Sequence, residues 1–153
     1  MPLAHNTLIL VADGRKALFL RNKGDAQQPD IRVTADRERQ DRKDSDIKTG
    51  PAGQSPAPAG TGLAGGTMQE PDFHQQEEDR FAKSLAEEIN EMALASKFDS
   101  LVVVAPARSM GILRPLWHKE TVSRIVGEHL KEMVGHPVAD IEALIVGDAA
   151  PPS

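Results

Sequence analysis

A carboxylate stands where the first apolar run of this chain ends. Asp13 follows the run 7–12 and is itself followed by a glycine and Arg15. An aspartate at the end of a buried strand can hold Mg²⁺, but that chemistry needs several carboxylates converging on the metal. The other core strands offer only Asp99, near the start of a strand, and Glu128. We therefore predict that Asp13 forms a turn, and we keep Asp13 and Arg15 as binding candidates without a catalytic role.

Histidine is the second residue type that could carry chemistry here. The five histidines show no paired helical spacing of the His-Glu-x-x-His kind: His5, His74, His118, His129 and His136. His74 lies two residues after Asp72 at a predicted helix start, where capping explains the pair as well as metal binding does. The chain has no cysteine, which excludes disulfides, thiolate metal sites and a cysteine nucleophile. We predict no metal site and no cofactor, and keep His74 as a binding candidate.

Basic residues cluster around a predicted short helix after residue 106. They are Arg108, Arg114, Lys119 and Arg124. Such a patch could contact phosphate groups, while the alternative is an ordinary solvated helix face. The net charge of −5 counts against a general nucleic-acid binder. Arg108 and Arg114 are the binding candidates from this group.

Four segments of the chain have the pattern of β-strands. The segments 7–12 and 100–105 contain the continuous apolar runs Leu8–Ala12 and Leu101–Ala105, which are typical of strands buried on both faces. Asp13 and Gly14 predict a type I′ hairpin turn into a return strand at 16–21. The segment 30–35 alternates apolar and polar residues and is predicted to be an edge strand.

The segment from about 37 to 70 differs in composition from the rest. It first alternates acids and bases and then consists mostly of glycine, proline, alanine and threonine. Such a stretch buries too little apolar surface to offset its ordering entropy, so we predict a flexible loop within a single domain spanning 1–153.

Helical spacing dominates the second half of the chain. A long helix is predicted over 73–96 with Asp72 as its N-cap. Residues 107–119 also read as helical, but Pro115 should kink or split that helix. A last helix should follow Pro137 and close at Gly147. Local periodicity over 122–134 fits a helix better than a strand.

Several local strings resemble the bacterial family described as required for attachment to host cells. They are Val11-Ala12-Asp13-Gly14-Arg15-Lys16-Ala17, Phe81-Ala82, Phe98-Asp99-Ser100-Leu101-Val102-Val103-Val104-Ala105-Pro106 and Gly111-Ile112-Leu113-Arg114. Their order and spacing match that family over nearly the whole chain, apart from the loop.

That family is similar in fold to the middle domain of eukaryotic and archaeal peptide-chain release factors, and to ribosomal proteins S11 and L18. The resemblance implies an α/β fold with a mixed five-stranded, ribonuclease-H-like sheet and helices against it. It also implies that 122–131 is the fifth strand, against its local periodicity. We adopt the strand, because tertiary context often overrides local pattern.

Release factors of that fold carry Gly-Gly-Gln in the loop before the long helix, where the glutamine helps to position water on peptidyl-tRNA. The corresponding string here is Gly65-Gly66-Thr67-Met68-Gln69. The glutamine is displaced by two residues, roughly 7 Å of extended chain. Misplacement by about 1 Å already costs a hundredfold in rate. We therefore predict no hydrolase activity and no catalytic residue.

The sequence thus predicts a non-enzymatic binding or adaptor protein of the host-attachment type, which would affect attachment indirectly through an unidentified protein partner. The alternative is a translation-associated factor that binds ribosome or tRNA. Residues 1–6 lack a basic stretch followed by a long apolar run, and no apolar run is long enough to cross a membrane. We therefore expect a cytoplasmic protein without membrane insertion.

Overall fold

The fold is a mixed five-stranded sheet with helices on both faces, as seen in a computed structural model. The model describes the backbone of residues 2–40 and 59–149, and the side chains of 2–40 and 73–147. The strands are β1 (Leu8–Ala12), β2 (Lys16–Asn22), β3 (Ile31–Glu38), β4 (Leu101–Ala105) and β5 (Ile125–Leu130). Their order across the sheet is β3-β2-β1-β4-β5.

The pairing of β1 with β4 confirms the predicted centre of the sheet. The two strands run parallel, with Leu8 opposite Leu101. Every residue of both strands is buried, because each strand is covered on both faces. β1 and β2 form an antiparallel hairpin, β2 pairs antiparallel with β3, and β3 lies at the edge as predicted.

The segment 122–131 contains the fifth strand that the resemblance implied. β5 runs parallel to β4 along its length, and its register shifts between Leu101 and Val102. The apolar residues of this segment have helical spacing. Its first residue, Val122, ends a short helix over 119–122, and the residues that follow form a turn and then the strand. Five residue pairs with β4 outweigh that local preference.

Four α-helices occur in the described part of the chain: α1 (Ala59–Leu94), α2 (Ala107–Leu113), α3 (Lys119–Val122) and α4 (Val138–Ala149). A 3₁₀ turn at Arg114–Leu116 follows α2 and contains Pro115, which confirms the predicted split. None of these helices combines the length and apolar character needed to cross a bilayer.

The start of α1 corrects the sequence-based boundary. Asp72 is not the N-cap, because the helix begins thirteen residues earlier at Ala59. The predicted loop is accordingly wrong over 59–70, while residues 41–58 lie outside the described part. Adding residues to an existing helix gains one hydrogen bond each without a new nucleus, so a weak helix former can be included. Similarly, α4 continues past Gly147 to Ala149.

Two apolar layers hold the helices to the sheet. On one face α1 and α2 pack through Phe81, Leu85, Ile89 and Met110 against the sheet. On the other face Ile141 and Ile145 of α4 pack beside Leu3 and Met133. Because β1, β4 and β5 run parallel, their carboxyl ends lie at the same end of the sheet. There α1 passes close to the first hairpin.

Candidate functional site

The predicted turn at Asp13 exists, but its geometry differs from the predicted type I′ turn. Oδ1 of Asp13 accepts hydrogen bonds from the backbone N–H of Arg15 at 2.7 Å and of Lys16 at 2.8 Å. Among the described glycines none has positive φ, so Gly14 does not adopt the conformation that type I′ requires. The turn is stabilised instead by the aspartate side chain, which accepts hydrogen bonds from the backbone N–H groups two and three residues ahead.

Gly14 is instead a point of close approach between the hairpin and α1. A Cβ atom at this position would lie 3.1 Å from Oε2 of Glu78. Oε1 of Glu78 in turn forms an ion pair with Nε of Arg108 at 2.9 Å, and Arg108 also donates to Gln75. The structure thus brings the predicted candidates Asp13 and Arg108 to the same helix, with Glu78 between them.

The other predicted candidates lie apart from that junction. Arg15 is exposed, and its carbonyl accepts from the N–H of Arg39 at 2.7 Å. His74 is exposed on α1, where its ring lies edge-on to Phe73 with the centroids 5.7 Å apart. No group of three or more metal-ligating side chains occurs within the described residues.

The predicted basic patch around α2 is neutralised by carboxylates of the chain itself. Arg114 forms an ion pair with Glu128 at 2.8 Å, and this hydrogen bond raises the pKa of the guanidinium. Arg124 lies 3.5 Å from Glu120, donates to the carbonyl of Phe98 at 2.9 Å and lies over the Phe98 ring. These ion pairs compensate the charges of both arginines, although Nε of Arg124 is buried without a hydrogen-bond partner. This surface is therefore a weaker anion site than the sequence suggested.

A second carboxylate lies beside Asp13 at the same edge of the sheet. Partial burial, and then the negative charge of Asp13, raise the pKa of Glu132, which follows β5. Two like charges resist simultaneous ionisation. This edge therefore disfavours an anionic ligand directly at Asp13.

An arginine-lined cleft opens where β3 ends against α1. Its cavity has a volume of about 270 Å³ and is lined by Arg37, Arg39, Glu77, Arg80, Phe81 and Ser84. We call it the arginine cleft. The carboxylate of Glu38 also lines it. Three guanidinium groups thus meet the carboxylates of Glu38 and Glu77 in the cleft, and Glu88, which pairs with Arg37, lies beside it.

Neighbouring groups fix two of these arginines in place. Nε of Arg37 donates to Glu88 of α1 at 3.1 Å, and the guanidinium lies 5.2 Å from the centroid of the Phe19 ring. Nη1 of Arg80 donates to Glu77 at 2.7 Å, and the side chain of Glu77 is only 2% exposed. A buried carboxylate that holds one nitrogen of a half-exposed arginine orients the rest of that guanidinium.

Arg39 differs from these two, because part of its charge is buried without compensation. Its Nε is buried and has no hydrogen-bond partner, and its Nη1 lies 3.5 Å from the carbonyl of Gly14. A buried donor without a partner costs about 1–3 kcal/mol. A group of this kind in a folded protein calls for an explanation, such as strain or a bound water or ion.

Sequence reasoning missed the arginine cleft because Arg37 and Arg39 fell in the segment assigned to a flexible loop. Their spacing did contain a signal. Side chains two residues apart on a strand point to the same face, so a strand continuing through Glu38 would have placed both arginines together. Arg80, which lies on the next element described, could not be joined to them without the tertiary fold.

Comparison with known proteins adds to this geometry. A model of bacterial archaeo-eukaryotic release factor family 12 matches residues 6–145 of the chain. The chain belongs to this family. The match begins just before β1 and ends within α4, so it includes all five strands and the arginine cleft. No curated protein matches the chain.

Membership of release factor family 12 confirms the release-factor relationship that the sequence strings suggested. The link to attachment to host cells stays a prediction. For a release-factor-related chain, the displaced glutamine of the string 65–69 is the main departure from the expected catalytic loop. The backbone of these residues belongs to α1, and their side chains lie outside the described residues.

Proposed function

We propose that this protein is a translation-associated factor that binds the ribosome or tRNA and has no hydrolase activity. The observation that carries the proposal is the match of residues 6–145 to a release-factor family. A fold alone does not fix a function, so the proposal also depends on a surface that can contact RNA. The arginine cleft supplies guanidinium groups that can donate to phosphate oxygens, in a chain whose net charge is −5.

The absence of hydrolase activity is a part of the proposal that depends on the sequence 65–69. Thr67 stands where the release-factor pattern has glutamine, and Gln69 comes two residues later. Hydrolysis of peptidyl-tRNA requires the water-positioning group to be held within about 0.5 Å of its productive place. We therefore assign binding, in the cytoplasm, and no catalytic residue.

The adaptor role in host attachment is the other function that the sequence predicted. It rests on the resemblance alone, whereas the family match favours the translation-associated alternative. A factor bound to ribosomes would influence attachment only indirectly, so the two functions do not exclude each other. The ribonuclease-H-like description of the sheet also stays a prediction.

Co-sedimentation with ribosomes tests the proposal. The purified chain is layered with bacterial ribosomes over a sucrose cushion at about 0.1 M salt, where exposed charges remain effective over about 10 Å. We expect the chain in the ribosomal pellet, and its release as the salt concentration rises. A chain that stays in the supernatant with ribosomes, as it does without them, contradicts the proposal.

A further inference from the structure

The arginine cleft combines a cavity, three guanidinium groups and a buried donor without a partner. It differs from the other basic surfaces described above in Arg39, which forms no ion pair with a described residue and whose Nε is buried without a hydrogen-bond partner. Arg114 and Arg124 form ion pairs with Glu128 and Glu120. Within the cleft, Arg37 and Arg80 are likewise paired, with Glu88 and Glu77, and Arg39 is left without a carboxylate partner among the described residues. An anionic ligand would supply the compensation that Arg39 lacks.

The contacts within the cleft show which arginine nitrogens already have partners and which can donate to a ligand. Arg37 is held through Nε and Nη2 by Glu88 and through Nη1 by the carbonyl of Asp36, so it contributes charge more than free donors. In Arg80 the pair with Glu77 uses Nη1. The remaining nitrogens of Arg80 and the guanidinium group of Arg39, which has no ion pair with a described residue, are the donors suited to a ligand.

The shape and chemistry of the cleft favour a phosphate ester. Guanidinium forks match phosphate oxygens with two parallel hydrogen bonds, and a doubly charged phosphate balances more than one arginine. The Ser84 hydroxyl can donate to a further oxygen. The ring of Phe81 offers an apolar wall to the group that carries the phosphate, and a volume of about 270 Å³ exceeds the space of a phosphate alone.

We propose that the arginine cleft binds the phosphate group of a phosphate ester, with Arg39 and Arg80 as its donors. Two sources have this chemistry: the backbone of RNA and a free nucleotide. The RNA source rests on the proposed function, whereas binding of a nucleotide does not.

Binding measurements on the full chain test this inference. Adenosine 5′-monophosphate is titrated calorimetrically, and fluorescently labelled tRNA is titrated by polarisation, each at about 0.1 M salt. The variants are Arg39→Gln and Arg80→Gln. The matched control is Arg32→Gln, which removes one positive charge from the same strand at a site outside the cleft, where Arg32 pairs with Asp30.

We expect the parent chain to bind at least one of the two probes, and Arg39→Gln and Arg80→Gln to weaken that binding at least tenfold while Arg32→Gln leaves it unchanged. Binding of tRNA alone identifies the RNA backbone as the source, and binding of the nucleotide alone identifies a free ligand. Failure of both probes to bind the parent chain overturns the inference. So does equal binding by the parent chain and both cleft variants.

Thermal unfolding provides a second readout that does not depend on affinity alone. Because Arg39 Nε is buried without a partner, Arg39→Gln should unfold no earlier than the parent chain. The bound probe should raise the unfolding temperature of the parent chain and of Arg32→Gln, but not of Arg39→Gln. A probe that stabilises Arg39→Gln as much as the parent chain contradicts the assignment.

Ribosome co-sedimentation of Arg39→Gln separates this inference from the proposed function. Nucleotide binding that depends on Arg39, in a chain that ribosomes do not pellet, supports the cleft and contradicts the translation role. Equal pelleting of Arg39→Gln and the parent chain, with neither probe bound, supports the translation role and overturns the cleft.

Discussion

The side-chain oxygen of Asn90 accepts a hydrogen bond from the hydroxyl of Thr121 at 2.6 Å. The same oxygen accepts from the N–H of His118 at 2.8 Å, and Nδ2 of Asn90 donates to the carbonyl of Leu116 at 3.0 Å. One asparagine of α1 thus holds the segment that leads from the 3₁₀ turn into α3. Thr121 is fully buried, so its hydroxyl depends on this partner.

Replacing Asn90 should therefore destabilise the protein. Asn90→Ala leaves the buried Thr121 hydroxyl and two backbone groups without their partner, and we expect a loss of about 1–3 kcal/mol in the free energy of unfolding. Urea unfolding followed by circular dichroism measures it. The control Glu87→Ala, at an exposed position of the same helix, should change stability by less than about 0.5 kcal/mol. Equal effects of the two variants would show that the Asn90 contacts contribute nothing.

Two glycines should respond in opposite ways to the same substitution. A Cβ atom at Gly24 would overlap the carbonyl oxygen of Gln28 and lie 2.9 Å from the N–H nitrogen of Asp30, whereas one at Gly111 meets nothing within 4 Å. Gly24→Ala should cost about 1–3 kcal/mol through forced backbone movement. Gly111→Ala, within α2, should stabilise by about 0.5–1 kcal/mol through helix propensity. Denaturant midpoints compare them, and a stabilising Gly24→Ala would contradict the loop geometry.

Glu132 should make stability depend on pH. Its folded-state pKa is raised by partial burial and by Asp13, so the folded state disfavours the ionised form. Stability is therefore unaffected below the ordinary glutamate pKa of about 4.3 and falls as pH rises towards the raised value. Glu132→Gln should stabilise the protein at pH 7 by a few tenths of a kcal/mol, since the site is largely exposed, and leave it unchanged near pH 3.

Unfolding curves at both pH values, for Glu132→Gln and for the control Glu142→Gln on α4, measure this difference. The control should show no gain that appears only at neutral pH. A Glu132→Gln variant that is less stable than the parent chain at pH 7 would show that the carboxylate is favoured in the fold.

Gln69 should be dispensable for any activity on peptidyl-tRNA. Release of peptide from charged ribosomes at micromolar protein should be absent for the parent chain and for Gln69→Ala, because the glutamine is displaced from Gly65-Gly66 by two residues. A release factor serves as the positive control. Release by the parent chain that is lost in Gln69→Ala would reverse the assignment and make the protein a hydrolase.

Much of the sheet followed from the sequence because its strands have strong local patterns. The runs Leu8–Ala12 and Leu101–Ala105 are apolar throughout, and only a strand covered on both faces buries every residue of so short a run. Pro115 likewise marked the end of α2, since proline lacks the N–H that the helix needs. Asp13 was correctly assigned to a turn, although the mechanism of that turn was not.

The tertiary structure decided the features that depend on contacts distant in sequence. β5 forms because its backbone pairs with β4, against the helical spacing of its apolar residues. The charges of Arg108 and Arg114 are cancelled by Glu78 and Glu128, which no local pattern connects to them.

The arginine cleft shows the same division. The sequence alone shows that Arg37 and Arg39 are two residues apart, a spacing that places both on one face of a strand. Only the packing of β3 against α1 added Arg80 and the buried Glu77, and left Nε of Arg39 buried without a partner. Strand periodicity is a local property of the backbone, whereas burial and charge compensation arise only when distant segments meet.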